Sequence, residues 1–206
     1  MQRKHAKQQR STASVLAIVA ATDELLKTYS AQKLTTNHIA ERAGVSIGTL
    51  YQYFPDKQAI YARVIQQKLD HDLIEFRATI EAHYPTWQAL AHALVTLMFE
   101  QAARTISAYR QILLMVDPLL MRQRVETAMA AAERVLSQKV AQLTNTPESH
   151  ALTTAVSQVR VMLQTQVNYA VQQQPEWLTD LNYREWILAC AIGRIERVVN
   201  GDGSGK

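Results

Sequence analysis

No stretch restricts the fold of this chain more than TTNHIAERAGVSIGTLYQYFPDK, residues Thr35–Lys57. Thr35 and Thr36 offer hydroxyls to the unsatisfied N–H groups at a helix start, and Ile39, Ala40 and Ala43 place apolar surface on one face. Gly44 stands where that helix stops and the backbone needs a positive φ, which glycine adopts at least cost. Val45 plugs the turn, and Ser46 is placed to cap a second helix carrying Leu50 and Phe54 on its inner side. Two short helices joined in this way are a helix-turn-helix, whose second helix enters a DNA major groove. Its outer side keeps Ile47, Gly48, Thr49, Tyr51, Gln52 and Tyr53, and Lys57 adds a cation at the next helix start. Gly48 is less favourable than alanine inside a helix by about 1 kcal/mol, but it lets another molecule approach the backbone closely. A plain helical corner with tyrosines on a wet surface is the bland alternative. The whole ordered run, from Ala43 through Phe54 to Lys57, argues against it.

That run resembles the DNA-binding domain of the TetR family of transcriptional regulators. The match lies at Thr35, Ile39, Ala40, Ala43, Gly44, Val45, Ser46, Gly48, Thr49, Leu50, Tyr51, Tyr53, Phe54 and Lys57, and the resemblance covers residues 11–60. The loop Tyr29–Leu34 departs from it, having no glycine where the family often has one. The resemblance implies an all-α protein with a three-helix head, a connector helix that ligand binding shifts, and a C-terminal helical domain for ligand binding and dimerisation. It also implies a homodimeric regulator, a repressor by expectation, released from a palindromic double-stranded DNA operator by a small-molecule effector. Thr36, Tyr51, Tyr53 and Lys57 are then expected to hold phosphates. Ser46 opens the groove helix, and Asn37, Ile47, Gly48, Thr49 and Gln52 are expected near base edges, Ile47 through apolar contact alone.

Charge points the same way. Residues 1–57 hold eight Lys/Arg and four acids, whereas the other 149 residues hold 14 of each sign. All the excess positive charge therefore falls on the expected reading head, as a phosphate backbone requires. No run approaches the roughly 18 apolar residues of a membrane span, and MQRKHAKQQR has no apolar stretch after it of the signal-peptide kind. The single Cys190 excludes an internal disulfide, so a cytoplasmic address is expected. Six glycines and five prolines in 206 residues favour helix throughout.

Four segments are expected: a basic arm at 1–10, the head at 11–57, a ligand-binding and dimerisation domain at 58–200, and a disordered tail at 201–206. Ser11 or Thr12 is placed to cap the first helix, with Val15, Ile18, Leu25 and Tyr29 on its stripe. Pro55-Asp56 opens a connector helix reaching His83. Further helices are expected over Trp87–Arg104, Ser107–Val116, Pro118–Leu143 and Pro147–Gln174. Asn182 and Glu185 form a capping-box variant for the last, with Leu181 and Trp186 as a hydrophobic staple, for about nine helices in all.

The last two helices are candidates for a dimer seam through Val156, Val159, Leu163, Trp186, Ala189, Ile192, Gly193 and Ile195, with an ordinary buried core as the alternative. A ligand cavity would draw on Trp87, Met98, Phe99, Gln101, Tyr109, Met115, Met162, Gln166 and Tyr169, although such residues at helical spacing are more often plain core. Arg104 and Arg110 would favour an anionic ligand if they faced that space. His71 and Glu75 share a helix face, but two metal-ligand types on a polar helix are usually a solvated surface. With no phosphate loop, nucleophile elbow or activated carboxylate pair, no catalytic residue, cofactor or metal is expected. The rival readings are a helical ligand-binding module without DNA binding and an all-α enzyme.

Overall fold

A computed structural model describes the backbone of residues 2–113, 115–116 and 118–201, and the side chains of residues 11–113, 115–116, 130 and 132–201. Eight α-helices and no strand occur among the described residues. They are α1 (Gln2–Leu26), α2 (Thr36–Ala43), α3 (Ile47–Tyr53), α4 (Lys57–Glu81), α5 (Trp87–Leu113), α6 (Pro118–Thr144), α7 (His150–Gln173) and α8 (Leu181–Val199). A 3-10 turn, Pro175–Leu178, joins the last two. No described helix is long and apolar enough to cross a membrane.

Several boundaries correct the sequence reading. The segment expected as a basic arm continues α1 back to Gln2, so neither Ser11 nor Thr12 caps it. Gln, Lys, Arg and Ala are all good helix formers, and no glycine or proline interrupts residues 1–10. The helices expected over Trp87–Arg104 and Ser107–Val116 are one helix, α5, because Thr105, Ile106 and Ser107 weaken a helix without breaking it. Ser149, rather than the Thr146-Pro147 pair, caps α7 by accepting from the Leu152 N–H. Asp180 caps α8, accepting from the Asn182 and Tyr183 N–H groups. Leu181 and Trp186 are both exposed and form no buried staple. Asp117 and residues 202–206, where a cap and a disordered tail were expected, lie outside the described residues.

The chain divides into two compact units: Met1–Asp70 with Ser107–Met121, and His71–Ile106 with Arg122–Lys206. The first does not stop at Lys57. Ile60, Tyr61, Val64 and Ile65 of α4 and Ile112 and Val116 belong to its core, together with Ile18, Leu34, Ile39 and Leu50. Each such buried side chain contributes on the order of 1.5–3 kcal/mol over an exposed one.

The glycine-free loop after α1 is held by side chains instead. The Tyr61 hydroxyl donates to the Ala31 carbonyl at 2.7 Å, and the Ala31 N–H donates to Gln111 Oε1 at 2.7 Å. Burial raises the Tyr61 hydroxyl from its ordinary pKa of 10.0 to about 12. The folded state thus keeps this proton after the unfolded chain has lost it. Its contribution is complete below pH 10 and is lost as pH rises towards 12. Tyr61→Phe should destabilise the protein at neutral pH by about 1–2 kcal/mol in urea unfolding and remove this part of the alkaline loss.

Among the described residues of the second unit, three groups of buried side chains form the core: Val95, Phe99, Val167 and Ile187; Val140, Ala155 and Ile195; and Phe76, Ile80, Leu90 and Leu94.

Candidate nucleic-acid interface and internal cavity

Local chemistry sets the helix-turn-helix. Thr35 accepts from the His38 N–H at 3.3 Å and starts α2. Gly44 ends it in the left-handed region at φ 67°, donating to the Ala40 and Glu41 carbonyls. A non-glycine residue would be strained there. Ser46 accepts from the Thr49 N–H at 3.1 Å and starts α3. Ile39 and Leu50 are fully buried between the helices, which fixes which face of α3 remains outside.

That outer face carries Ile47, Gly48, Tyr51 and Gln52, with Asn37 exposed on α2 and Ser46 exposed at the cap. A Cβ on Gly48 would meet nothing nearer than Ser46 Oγ at 3.9 Å. Packing within this chain therefore gives no reason for glycine at that position. Thr49 is half-buried and engaged with Ser46, 2.8 Å between hydroxyls. Thr36 Oγ1 and the Tyr51 hydroxyl lie 3.1 Å apart, tying the α2 start to α3. Two expected phosphate ligands have internal work. Tyr53 packs against the head's core. Lys57 Nζ donates to the Ala31 carbonyl at 3.1 Å and the Leu34 carbonyl at 2.9 Å, and lies 5.7 Å from the Tyr61 ring centre.

Within the second unit, described residues of α4, α5, α6, α7 and α8 enclose a cavity of about 80 Å³. Of the residues expected to line it, Trp87 and Met98 do. Phe99 is buried in a core group and Met162 packs against the same group. Gln101 donates to the Asp72 carbonyl and to Glu75 Oε2, both at 3.0 Å. Gln166 accepts from the Tyr183 hydroxyl at 2.7 Å. Tyr169 is exposed, its ring 5.7 Å from that of Trp177. Tyr109 and Met115 belong to the first unit, where the Tyr109 hydroxyl donates to Asp23 and Met115 packs on the head's core. Arg104 donates to Glu75 Oε2 at 2.8 Å and Arg110 is exposed in the first unit, so neither faces the cavity.

Four residues assigned to the dimer seam line the cavity instead: Val156, Val159, Leu163 and Ile195. Ile192 packs inward against two core groups. The reason is geometric, since α7 and α8 turn these stripes towards their own unit. The outward face of α8 carries Asn182, Glu185, Trp186 and Ala189 at helical spacing, with Gly193 partly covered one turn on. Missed by the sequence reading were Glu133, Arg160 and Gln164 in the cavity wall. Glu133 Oε2 accepts from Arg160 Nε at 2.9 Å, and Oε1 accepts from Ser157 Oγ. No apolar stripe singles them out, because Ser157 and Gln164 flank Arg160, and Ser137 follows Glu133, at helical spacing. At the suggested metal position His71 Nε2 is 3.4 Å from Glu75 Oε1. No group of three potential metal ligands occurs among the described residues.

Residues 18–64 match the family model described as bacterial regulatory proteins, tetR family. An HTH-type transcriptional regulator of Staphylococcus aureus (strain USA300) is 27% identical over 96 residues, 47% of this chain and 49% of that protein. The chain thus spans about half the length of the curated relatives it matches. Among solved structures, a TetR-family transcriptional regulator from Mesorhizobium loti aligns with TM-score 0.59 and 19% identity, covering 93% of this chain and 98% of that one. The TetR family repressor AlkX from Dietzia sp. aligns with TM-score 0.57 and 16% identity, covering 91% and 95%. At such identities the likeness is one of fold.

Proposed function

The head of this chain belongs to the TetR family, and from that premise we propose that the protein is a homodimeric repressor released from a palindromic operator by a small molecule. The observation that carries the DNA reading is the outer face of α3, where Ile47, Gly48, Tyr51 and Gln52 are exposed and Gly48 has no packing role. Asn37, Ile47, Gly48, Thr49 and Gln52 would meet base edges. Thr36 and Tyr51, already paired, would present hydroxyls to phosphate, with Ser46 at the start of the groove helix. Tyr53 and Lys57 would act mainly by shaping the head. The excess positive charge of residues 1–57, including the basic start of α1, would draw the duplex in.

The effector would occupy the cavity of the second unit. Moving such a regulator from mostly bound to mostly released needs a preference of about 5.5 kcal/mol between its two states. Selection of duplexes from a random pool by the purified protein tests the reading. A palindrome bound with a steep loss of affinity as salt rises is the expected result. Failure to enrich any sequence would leave a ligand-binding module without operator recognition. On the selected duplex, Gln52→Ala should relax preference at one base pair in each half-site by about 1–3 kcal/mol. Tyr51→Phe should weaken all duplexes alike. Equal relaxation of sequence preference by both would refute this division of roles.

A further inference from the structure

We propose that the cavity takes a small, uncharged, predominantly hydrocarbon molecule and discriminates against both carboxylates and ammonium ions. The proposal rests on the cavity being the effector site, and adds the chemical class. Its volume, about 80 Å³, is several times the roughly 10–15 Å³ needed by one water, which suits a short alkyl chain. Leu90, Leu94, Met98 and Leu136 offer that chain nothing but apolar surface.

Among the described lining residues, the charged groups are Glu133 and Arg160, and they are matched to each other. Both carboxylate oxygens of Glu133 are occupied, one by Arg160 Nε and the other by Ser157 Oγ. A carboxylate ligand would compete with Glu133 for Arg160. An ammonium ligand would draw Glu133 away and leave the guanidinium facing a second cation. Either ion adds a charge with no counter-charge of its own to a partly buried pair that is already balanced, and an uncompensated buried charge is costly. An alkyl chain, with or without one hydroxyl, disturbs neither. The arginines that would have favoured an anion, Arg104 and Arg110, lie elsewhere.

The test is calorimetric titration of the full-length protein at pH 7 with three six-carbon probes: 1-hexanol, hexanoate and hexylammonium. 1-Hexanol should bind at least about tenfold more tightly than either ion. Glu133→Gln, which keeps the shape and removes the carboxylate charge, should tighten hexanoate by about tenfold, a gain that misfolding cannot imitate. Equal or tighter binding of either ion to the unaltered protein, or no gain for hexanoate in Glu133→Gln, overturns the proposed class while the cavity remains the site. Leu94→Trp fills the cavity and should abolish 1-hexanol binding with the helical signal retained. Absence of 1-hexanol binding, or its persistence in a folded Leu94→Trp variant, overturns the class and the site together. Polarisation with the selected duplex separates the remaining case. If 1-hexanol binds selectively yet leaves duplex affinity unchanged, the ligand class stands and the effector reading falls.

Discussion

Replacing Lys57 by methionine should destabilise the reading head by about 3 kcal/mol. The ammonium donates to two carbonyls of one short loop, Ala31 and Leu34, and both bonds are partly buried. Hydrogen bonds from a charged donor contribute roughly 1.5–3 kcal/mol each, and methionine leaves both acceptors without this partner while preserving most of the packing. The Ala31 carbonyl keeps its bond from Tyr61, so the larger loss falls at Leu34, ahead of the Thr35 cap. Duplex affinity should fall in proportion to the unfolded fraction, and lower temperature or a stabilising osmolyte should restore much of it. A direct phosphate contact gives a different result: stability unchanged, affinity reduced alike on all sequences, and a salt slope lowered by about one ion. Urea unfolding beside duplex titration distinguishes the two.

Lys57 also shows how far the sequence could be read. The motif that contains it is local, and its local features came through: the Thr35 cap, the glycine stop at Gly44, the Ser46 cap and the inward Leu50. Spacing within one helix carries that information because the partners are only a few residues apart. The carbonyls that Lys57 binds are 26 and 23 residues away, and no period marks them. The same limit separates the second unit's helices, which periodicity located, from its cavity, which depends on how five helices face one another. Val156, Leu163 and Ile195 form apolar stripes that suit a subunit seam or a cavity wall equally well, and only packing decides between them. Glu133 and Arg160 are 27 residues apart, and their pairing is likewise a product of packing. Helix ends were least legible where weak breakers met a tertiary demand. Residues 104–107 looked like a boundary, yet α5 runs through to place Ile112 in the first unit's core.

Trp186→Glu should convert the proposed dimer to monomers, whereas the same charge at Ile192 should unfold the chain instead. The two residues share α8 but not a face. Trp186 is 54% exposed, and Ala189 and Gly193 continue its side of the helix with little bulk to hold a second helix away. Leu181, 67% exposed, adds apolar surface at the start of the same helix. A large apolar side chain left in water can be replaced by a charge with little effect on a monomer, typically within about 0.5 kcal/mol. Buried between two subunits, that charge has no partner and opposes association. Sedimentation should therefore show monomers, with thermal stability of the remaining fold retained. Affinity for the full palindrome should drop at least about a hundredfold, because the second head no longer acts intramolecularly, while affinity for an isolated half-site stays the same. Ile192 packs against two core groups of its own unit, so a carboxylate there is desolvated whether or not a partner is present. Half-site binding by a folded Trp186→Glu monomer would place the seam on the outer face of α8. An intact Trp186→Glu dimer would move it to another surface, the first candidate being the exposed side of α7 around Val161, Thr165 and Asn168.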